Sequence, residues 1–165
     1  MNRQGVVAAA GGLAAVAVMV GFMLWWTRGA HMVLEGSIQK VRVQAMDDNS
    51  AVVIVDFRFV NPSDHRFVVR SVDVLLQDGE GKERTGMAVS DPDAARLFEY
   101  FKLLGPKYND SFRIRDQVAS RQSLDRMVAA RFEMSQAKLE ARRGLRIRVE
   151  EVDGAVSELV EAARR

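Results

Sequence analysis

The chain has 165 residues, with 24 lysines and arginines against 22 aspartates and glutamates, a formal net charge of +2. After His31 the bases and acids number 22 each, a net charge of zero, which does not suggest a nucleic-acid partner because such a partner needs a net basic face. There is no cysteine, so disulfides, thiolate metal sites and cysteine nucleophiles are excluded as well.

The first predicted element is a membrane-spanning helix, 5–26, after a short tail, 1–4. This run of 22 residues contains no charged side chain. As a helix it extends roughly 33 Å, enough to cross a hydrocarbon core of about 30 Å. At its borders lie residue types that favour the membrane interface, namely Arg3, Trp25, Trp26 and Arg28. The sequence therefore predicts a single-pass anchor in a lipid bilayer.

A cleaved signal peptide is the alternative for this run. Its apolar region is usually about 7–15 residues and ends at small residues, whereas this run is longer and ends in Leu24-Trp25-Trp26-Thr27-Arg28. An uncleaved anchor is therefore favoured. The positive charges on its two sides are nearly tied, but an early anchor with a long trailing domain usually exports that domain. We expect a bacterial-type inner membrane with the domain on the extracytoplasmic side.

After a linker, 27–36, the apolar pattern changes to period two, and a domain is predicted over 37–162. In its clearest strand Val53, Val55 and Phe57 share one face while Asp56 and Arg58 share the other, as in a half-buried strand. Further strands are predicted at 41–45, where Arg42 alternates with valines, and at 72–76, 128–134, 145–150 and 155–161. Shorter candidates lie at 84–89 and 111–114.

Turn and cap residues separate these strands. Asn61-Pro62 ends the second strand, because proline cannot donate to a ladder and asparagine readily closes an Asx turn. A helix is predicted to begin at Ser90-Asp91-Pro92-Asp93, to place Leu97, Phe98, Phe101 and Leu104 on one face, and to end at Gly105-Pro106. We expect this helix to close one end of the sheet pair. A second helical turn is predicted at 136–142.

About seven strands with one apolar face each need a second sheet to cover them. The predicted fold is mainly β: an immunoglobulin-like β-sandwich of about seven strands with one inserted helix, preceded by the transmembrane helix.

The stretch 53–76 resembles a known family. It reads as an alternating strand, the step Asn61-Pro62, then Phe67-Val68-Val69 and Val72-Asp73-Val74-Leu75-Leu76, with Gly86 further on. This sequence pattern is similar to the late-embryogenesis-abundant type 2 (water-stress) β-sandwich and to other membrane-anchored immunoglobulin-like domains. The resemblance covers some 35 residues and implies a binding or protective sandwich without catalytic residues.

Candidate chemistry is sparse. The two histidines, His31 and His65, have no metal-ligand spacing, and consecutive residues such as those at 63–65 cannot form a catalytic relay. Two acid pairs, Asp91 with Asp93 and Glu150 with Glu151, are the candidates for a hydrolase or transferase. No catalytic, cofactor-binding or metal-ligating residue is predicted, and no small-molecule substrate is identified.

Arginine is the marked bias of the second half, at positions 113, 115, 121, 126, 131, 142, 143, 146 and 148. These side chains suit an acidic partner or lipid headgroups. The simpler interpretation, which the balanced charge favours, is a solvated face paired with Glu133, Glu140, Glu150 and Glu151.

The functional prediction is a non-enzymatic, membrane-anchored envelope protein whose sandwich binds or scaffolds another component, either a protein partner or a second copy in the membrane. The alternatives are an acid-pair hydrolase or transferase and a cytoplasm-facing accessory domain of a membrane complex.

Overall fold

The structure, a computed structural model, describes residues 16–22 and 33–162. The chain forms two compact units, Met1–His31 and Met32–Arg165. In the first unit, residues 16–22 are helical. Within the described ranges, no helix has both the length and the apolar character needed to cross a membrane. The rest of the predicted span, the tail 1–4, most of the linker, and the predicted interface residues Arg3, Trp25, Trp26 and Arg28 lie outside the described residues.

The second unit is mainly β, as predicted. Its strands are β1 (Glu35–Asp47), β2 (Ser50–Val60), β3 (Phe67–Gln77), β4 (Glu83–Thr85), β5 (Met87–Ala88), β6 (Gln117–Val118), β7 (Ser123–Phe132), β8 (Gly144–Glu151) and β9 (Val156–Val160). Its helices are α1 (Asp91–Tyr100), a 3-10 turn (Lys102–Leu104) and α2 (Gln136–Glu140).

Two antiparallel sheets make up this unit. One has the strand order β1-β2-β7-β5, and the other has the order β4-β3-β8-β9 with β6 beside the start of β3. Alternating apolar side chains of both sheets form one buried cluster, which includes Val53, Phe57, Leu76, Leu145 and Ile147. Each sheet therefore covers the apolar face of the other, and the predicted β-sandwich arrangement is confirmed at this level.

The prediction that β2 is half buried was wrong. Its residues from Ser50 to Phe57 are all buried, because a second apolar cluster covers the outer face of the sheet. In that cluster Val52 and Ile54 pack with Ala94 and Leu97 of α1. The helix thus lies on the outer face of the β1-β2-β7-β5 sheet, and the expectation that it closes one end of the sandwich was also wrong.

The same layer buries Arg42, which alternation had assigned to a polar face. Its guanidinium contacts the Asp56 carboxylate at 2.6 Å, and its side chain is 8% exposed. A charge can occupy this position because the opposite charge of Asp56, on the neighbouring strand, is buried with it.

Nine strands are present among the described residues, against about seven predicted. The candidate strand 84–89 is divided into β4 and β5, which belong to different sheets. The candidate at 111–114 is reduced to an isolated bridge between Ser111 and Met127. The two-residue strand β6 was not predicted, because so short a run has no measurable alternation.

Gly86 lies where the chain crosses from one sheet to the other. A Cβ at this position would come within 2.7 Å of the Phe132 ring and 2.8 Å of the Ala130 side chain. Its N–H donates to the carbonyl of Val74 at 2.9 Å. Glycine is needed here because the backbone passes directly over core side chains.

Candidate functional site

A cleft of about 490 Å³ lies at one end of the sandwich. We call this the turn end, where β1 finishes and β2 begins, and the opposite end, where β1 begins, the entry end. Three connections meet at the cleft: the β1–β2 turn, the β3–β4 turn and the segment from β7 into α2. Its lining residues are Asp48, Asn49, Asp78, Gly79, Glu80, Arg84, Glu133, Met134, Ser135, Lys138 and Ala141.

One aspartate in each of the two hairpin turns is used to build the turn. Asp47 accepts hydrogen bonds from the Asn49 N–H at 2.8 Å and the Ser50 hydroxyl at 2.6 Å, and the Ser50 bond is the main cause that lowers its pKa. Asp78 accepts from the Lys82 N–H at 2.8 Å, the main cause that lowers the Asp78 pKa. The hydrogen bonds that build these Asx turns therefore favour the ionised form of each aspartate.

Three other acidic residues line the cleft. Asp48, Glu80 and Glu133 line it and form no ion pair within the described part of the chain. Two cations lie among them: Lys138, and Arg84, whose Nε is 3.4 Å from the Asp78 carboxylate. The cleft thus carries an excess of negative charge with isolated positive groups, a pattern that suits a partner with basic side chains.

A second cavity of about 330 Å³ adjoins the cleft and shares Arg84, Glu133 and Met134 with it. It extends to Met87, whose side chain is 66% exposed. Because the two cavities share three residues, they form one groove across the turn end, in which Met87 and Met134 add apolar side chains to a lining that is otherwise largely charged. Methionine side chains adapt to differently shaped apolar partners, so the groove has the chemistry of a binding surface.

The predicted turn residues Asn61 and Pro62 lie at the entry end, away from this groove. Asn61 closes the predicted Asx turn by accepting from the Ser63 N–H at 3.0 Å. Its buried amide nitrogen also lies within hydrogen-bond distance of the carbonyls of His65, Val118 and Ala119. Asn61 therefore joins two loops, and its part in the domain is structural.

The predicted acid pairs do not converge on a cavity. Asp91 contacts Lys107 at 3.0 Å, while Asp93 accepts from the Ser90 hydroxyl at 2.6 Å as part of the α1 cap. Glu150 contacts Arg70 at 3.2 Å on the surface. Glu151 is buried, and burial is the main cause that raises its pKa. Among the described residues, no group of three candidate ligands is placed to hold a metal ion.

The nine arginines are distributed over several surfaces. Arg142 is buried and contacts Glu161 at 2.5 Å, Arg121 contacts Asp64 at 2.9 Å, and Arg146 pairs with Glu83 and Glu158. Of the four glutamates expected as partners, Glu150 pairs with an arginine outside the predicted set, Arg70. The sequence therefore indicated that arginines pair with acidic side chains, but it did not predict which acidic residue pairs with which arginine.

The turn-end groove was missed because its residues come from connections some 30 to 50 positions apart. The available signal was the excess of acids in two turns, at 47–48 and at 78–80, beyond what the turns themselves need. Comparison with family models, curated proteins and solved structures finds no match to this chain.

Proposed function

We propose that this chain is a non-enzymatic, single-pass envelope protein whose immunoglobulin-like sandwich binds or scaffolds another component at the turn-end groove. The partner is a protein, or a second copy of the chain in the same membrane. The proposed location is a bacterial-type inner membrane, with the sandwich on the extracytoplasmic side. The observation that carries the proposal is the groove formed by three connections at the end of the sandwich opposite the start of β1.

The strand order supports an immunoglobulin-like assignment. If all the strands except β6 are lettered along the chain, β1, β2, β7 and β5 stand in the order A-B-E-D, and β4, β3, β8 and β9 in the order C′-C-F-G. These are the two sheets of the immunoglobulin topology. The helix α1 and the strand β6 are then insertions between strands D and E. The same assignment agrees with the resemblance to late-embryogenesis-abundant type 2 domains.

The anchor part of the proposal rests on composition. The 22 uncharged residues at 5–26 favour hydrocarbon over water, and the tryptophans at the end of this run suit the headgroup layer. Binding at one end of a sandwich is consistent with this arrangement, since loops carried on a rigid scaffold are common sites of recognition.

A cross-linking experiment tests the binding site. Because the chain has no cysteine, Asn49→Cys in the full-length protein places a photoactivatable cross-linker in the groove, and Glu158→Cys places one on the outer face of the other sheet. We expect an adduct from position 49 in native membranes, lost when Glu80 and Glu133 are changed to lysine, and none from position 158. Equal adducts at both positions would contradict the proposal.

Two further measurements test the placement. The full chain should stay in the pellet after alkaline carbonate washing, and protease should cut the domain in spheroplasts while the membrane is intact. Release by carbonate would contradict the anchor, and protection from protease would favour the cytoplasm-facing alternative. The acid-pair hydrolase or transferase has no supporting geometry, since Asp91 and Asp93 are engaged with different neighbours. Glu150 pairs with Arg70 on the surface, whereas Glu151 is buried.

A further inference from the structure

Two arginines on either side of β6 adopt a backbone conformation that arginine rarely takes. Arg115 has φ +71° and Arg121 has φ +59°, and they are the non-glycine residues with positive φ in the described part of the chain. Each is the third residue of a four-residue turn. The Asp116 N–H donates to the Arg113 carbonyl at 3.1 Å, and the Gln122 N–H donates to the Ala119 carbonyl at 3.2 Å.

A positive φ at the third position is the mark of a type II turn, where glycine or asparagine is the favoured residue. Arginine brings a Cβ and a long side chain into a conformation that costs an L-residue free energy. The turn geometry therefore does not explain why arginine occupies both positions. Strained residues of this kind concentrate at functional surfaces, where the side chain has a role that the backbone alone does not require.

The internal contacts of these side chains do not explain the choice either. Arg121 pairs with Asp64 at 2.9 Å, but both side chains are more than half exposed, where an ion pair contributes little. Arg115 is exposed and has no ion pair with any described residue. Between Arg113 and Arg115, Ile114 occupies the second turn position with its side chain 65% exposed.

The charge around the two turns is strongly asymmetric. The segments 61–70 and 113–122 contain five arginines and two aspartates, a net charge of +3, whereas the whole of 33–162 has 20 bases and 22 acids, a net charge of −2. The two segments are adjacent, since the Arg115 N–H donates to the Val69 carbonyl and the Arg121 N–H to the Ser63 carbonyl. This region is a basic patch on a domain that is otherwise acidic.

The patch lies toward the entry end. Glu35, the first residue of β1, is paired with Val60, and the Asn61 N–H donates to the Gln122 carbonyl. Nine peptide links separate Trp26, the last residue of the predicted span, from Glu35. They extend at most about 31 Å, at about 3.4 Å each. If 5–26 spans a bilayer, this linker keeps Glu35, at the entry end of the domain, within about 31 Å of the end of that span.

We infer that the basic patch, with Arg115 and Arg121 as its principal contacts and Ile114 at its tip, docks on the anionic headgroups of the bilayer that anchors the chain. Guanidinium groups bind phosphate in a bidentate manner, and tethering raises the effective concentration of that surface. A cluster of five arginines with a net charge of +3 is attracted to a surface of anionic headgroups, whichever leaflet carries them. This inference rests on the proposed membrane anchor.

Site-directed spin labelling of the full-length chain tests it. A nitroxide on Ile114→Cys is the single label, since the chain has no cysteine, and Lys82→Cys, exposed in the β3–β4 turn outside the groove lining, supplies a control label at the turn end. The protein is reconstituted in vesicles of phosphatidylcholine, with or without phosphatidylglycerol. We expect the label at 114 to show oxygen and nickel-chelate accessibilities typical of the headgroup layer in the anionic vesicles, and to move toward water at high salt. The label at 82 should stay aqueous throughout.

The double variant R115N/R121N separates binding from folding. Asparagine suits a positive φ, so we expect an unchanged or raised melting temperature together with an aqueous label at 114. The matched control R143Q/R148Q removes two exposed arginines that lie outside both the patch and the groove, and it should leave the label at the headgroup layer. A clear loss of thermal stability in R115N/R121N would instead assign the two arginines a structural role and overturn the inference.

Retention of the chain after carbonate washing separates the two proposals. If the chain is retained and the label at 114 is as aqueous as the label at 82, the docking inference fails while the anchor stands, and an acidic protein becomes the candidate partner of the patch. If the label enters neutral and anionic vesicles alike, the assignment to anionic headgroups fails. If the chain is released, the anchor itself has failed.

Discussion

The guanidinium of Arg42 is held between several elements beneath the 102–110 segment. It donates to the carbonyls of Leu104 and Pro106 at 2.9 Å, contacts the Asp56 carboxylate at 2.6 Å, and lies 4.9 Å from the centroid of the Phe98 ring. Asp56 also accepts from the Asn109 amide at 2.9 Å. One buried ion pair therefore fixes a long connection over the first sheet.

Breaking the ion pair between Arg42 and Asp56 should lower the free energy of unfolding strongly. Arg42→Met leaves the Asp56 carboxylate buried without its counter-ion, so we expect a loss of about 3–5 kcal/mol in the free energy of unfolding. Arg42→Met combined with Asp56→Leu should lose much less than the two single variants together, because no uncompensated charge remains. Denaturant unfolding of the four proteins in the cycle measures the coupling. Additive losses would show that the two charges act independently.

Glu151 gives the domain a pH dependence of a particular sign. Burial raises its pKa, and no described residue forms a hydrogen bond with its Oε2 atom. The folded state binds the Glu151 proton more tightly than the unfolded state does, so proton binding stabilises the folded domain. This contribution to the free energy of unfolding is fully present below the unfolded pKa of about 4.3 and is lost as the pH rises through the folded pKa. Each pKa unit corresponds to about 1.4 kcal/mol.

Glu151→Gln should remove this dependence. As the pH rises from about 4 toward 7, the free energy of unfolding should change in favour of the variant relative to the parent. Comparing the two against pH cancels any constant cost of placing an amide at this position. Glu150→Gln, one residue earlier and partly exposed, is the matched control. Parallel curves for Glu151→Gln and its parent would mean that folding does not change the pKa of Glu151.

The chain crosses from one sheet to the other at Gly86, between strands β4 and β5. Gly86→Ala places a methyl group against Phe132 and Ala130, both buried, so we expect a loss of about 1–3 kcal/mol through overpacking. Gly144→Ala, where a Cβ meets nothing within 4 Å, is the control and should cost less than about 1 kcal/mol. Thermal unfolding of both variants checks the difference, and equal losses would remove the crossing as the reason for glycine at position 86.

The long elements could be predicted because each has a local signal. Strict alternation marks β8, runs of apolar residues mark β2 and β7, and the Ser90 cap with Pro92 marks the start of α1. The partner of each face could not be predicted, since burial of Arg42 depends on where α1 packs. The groove at the turn end depends in the same way on three turns that meet only in the folded domain. Local chemistry predicts elements, and long-range packing decides their surroundings.

For the domain as a whole, the two apolar clusters lie on opposite faces of the same strands. Val53 and Val55 of β2 belong to the inner cluster, while Val52 and Ile54 belong to the outer one under α1. Loss of the outer layer exposes one face of a strand that is central to the sandwich. The helix therefore contributes to the stability of the whole domain, and the layers should unfold together.

Leu97→Ala tests this coupling. Leu97 is 8% exposed and packs in the outer cluster, so we expect a loss of about 2–5 kcal/mol and one transition at which the far-UV and near-UV signals coincide. Tyr100→Ala, at a position 83% exposed at the end of the same helix, is the control and should change the free energy of unfolding by less than about 0.5 kcal/mol. An early separate transition in Leu97→Ala, with the sheet signal unaffected, would show instead that α1 detaches from an independently stable sandwich.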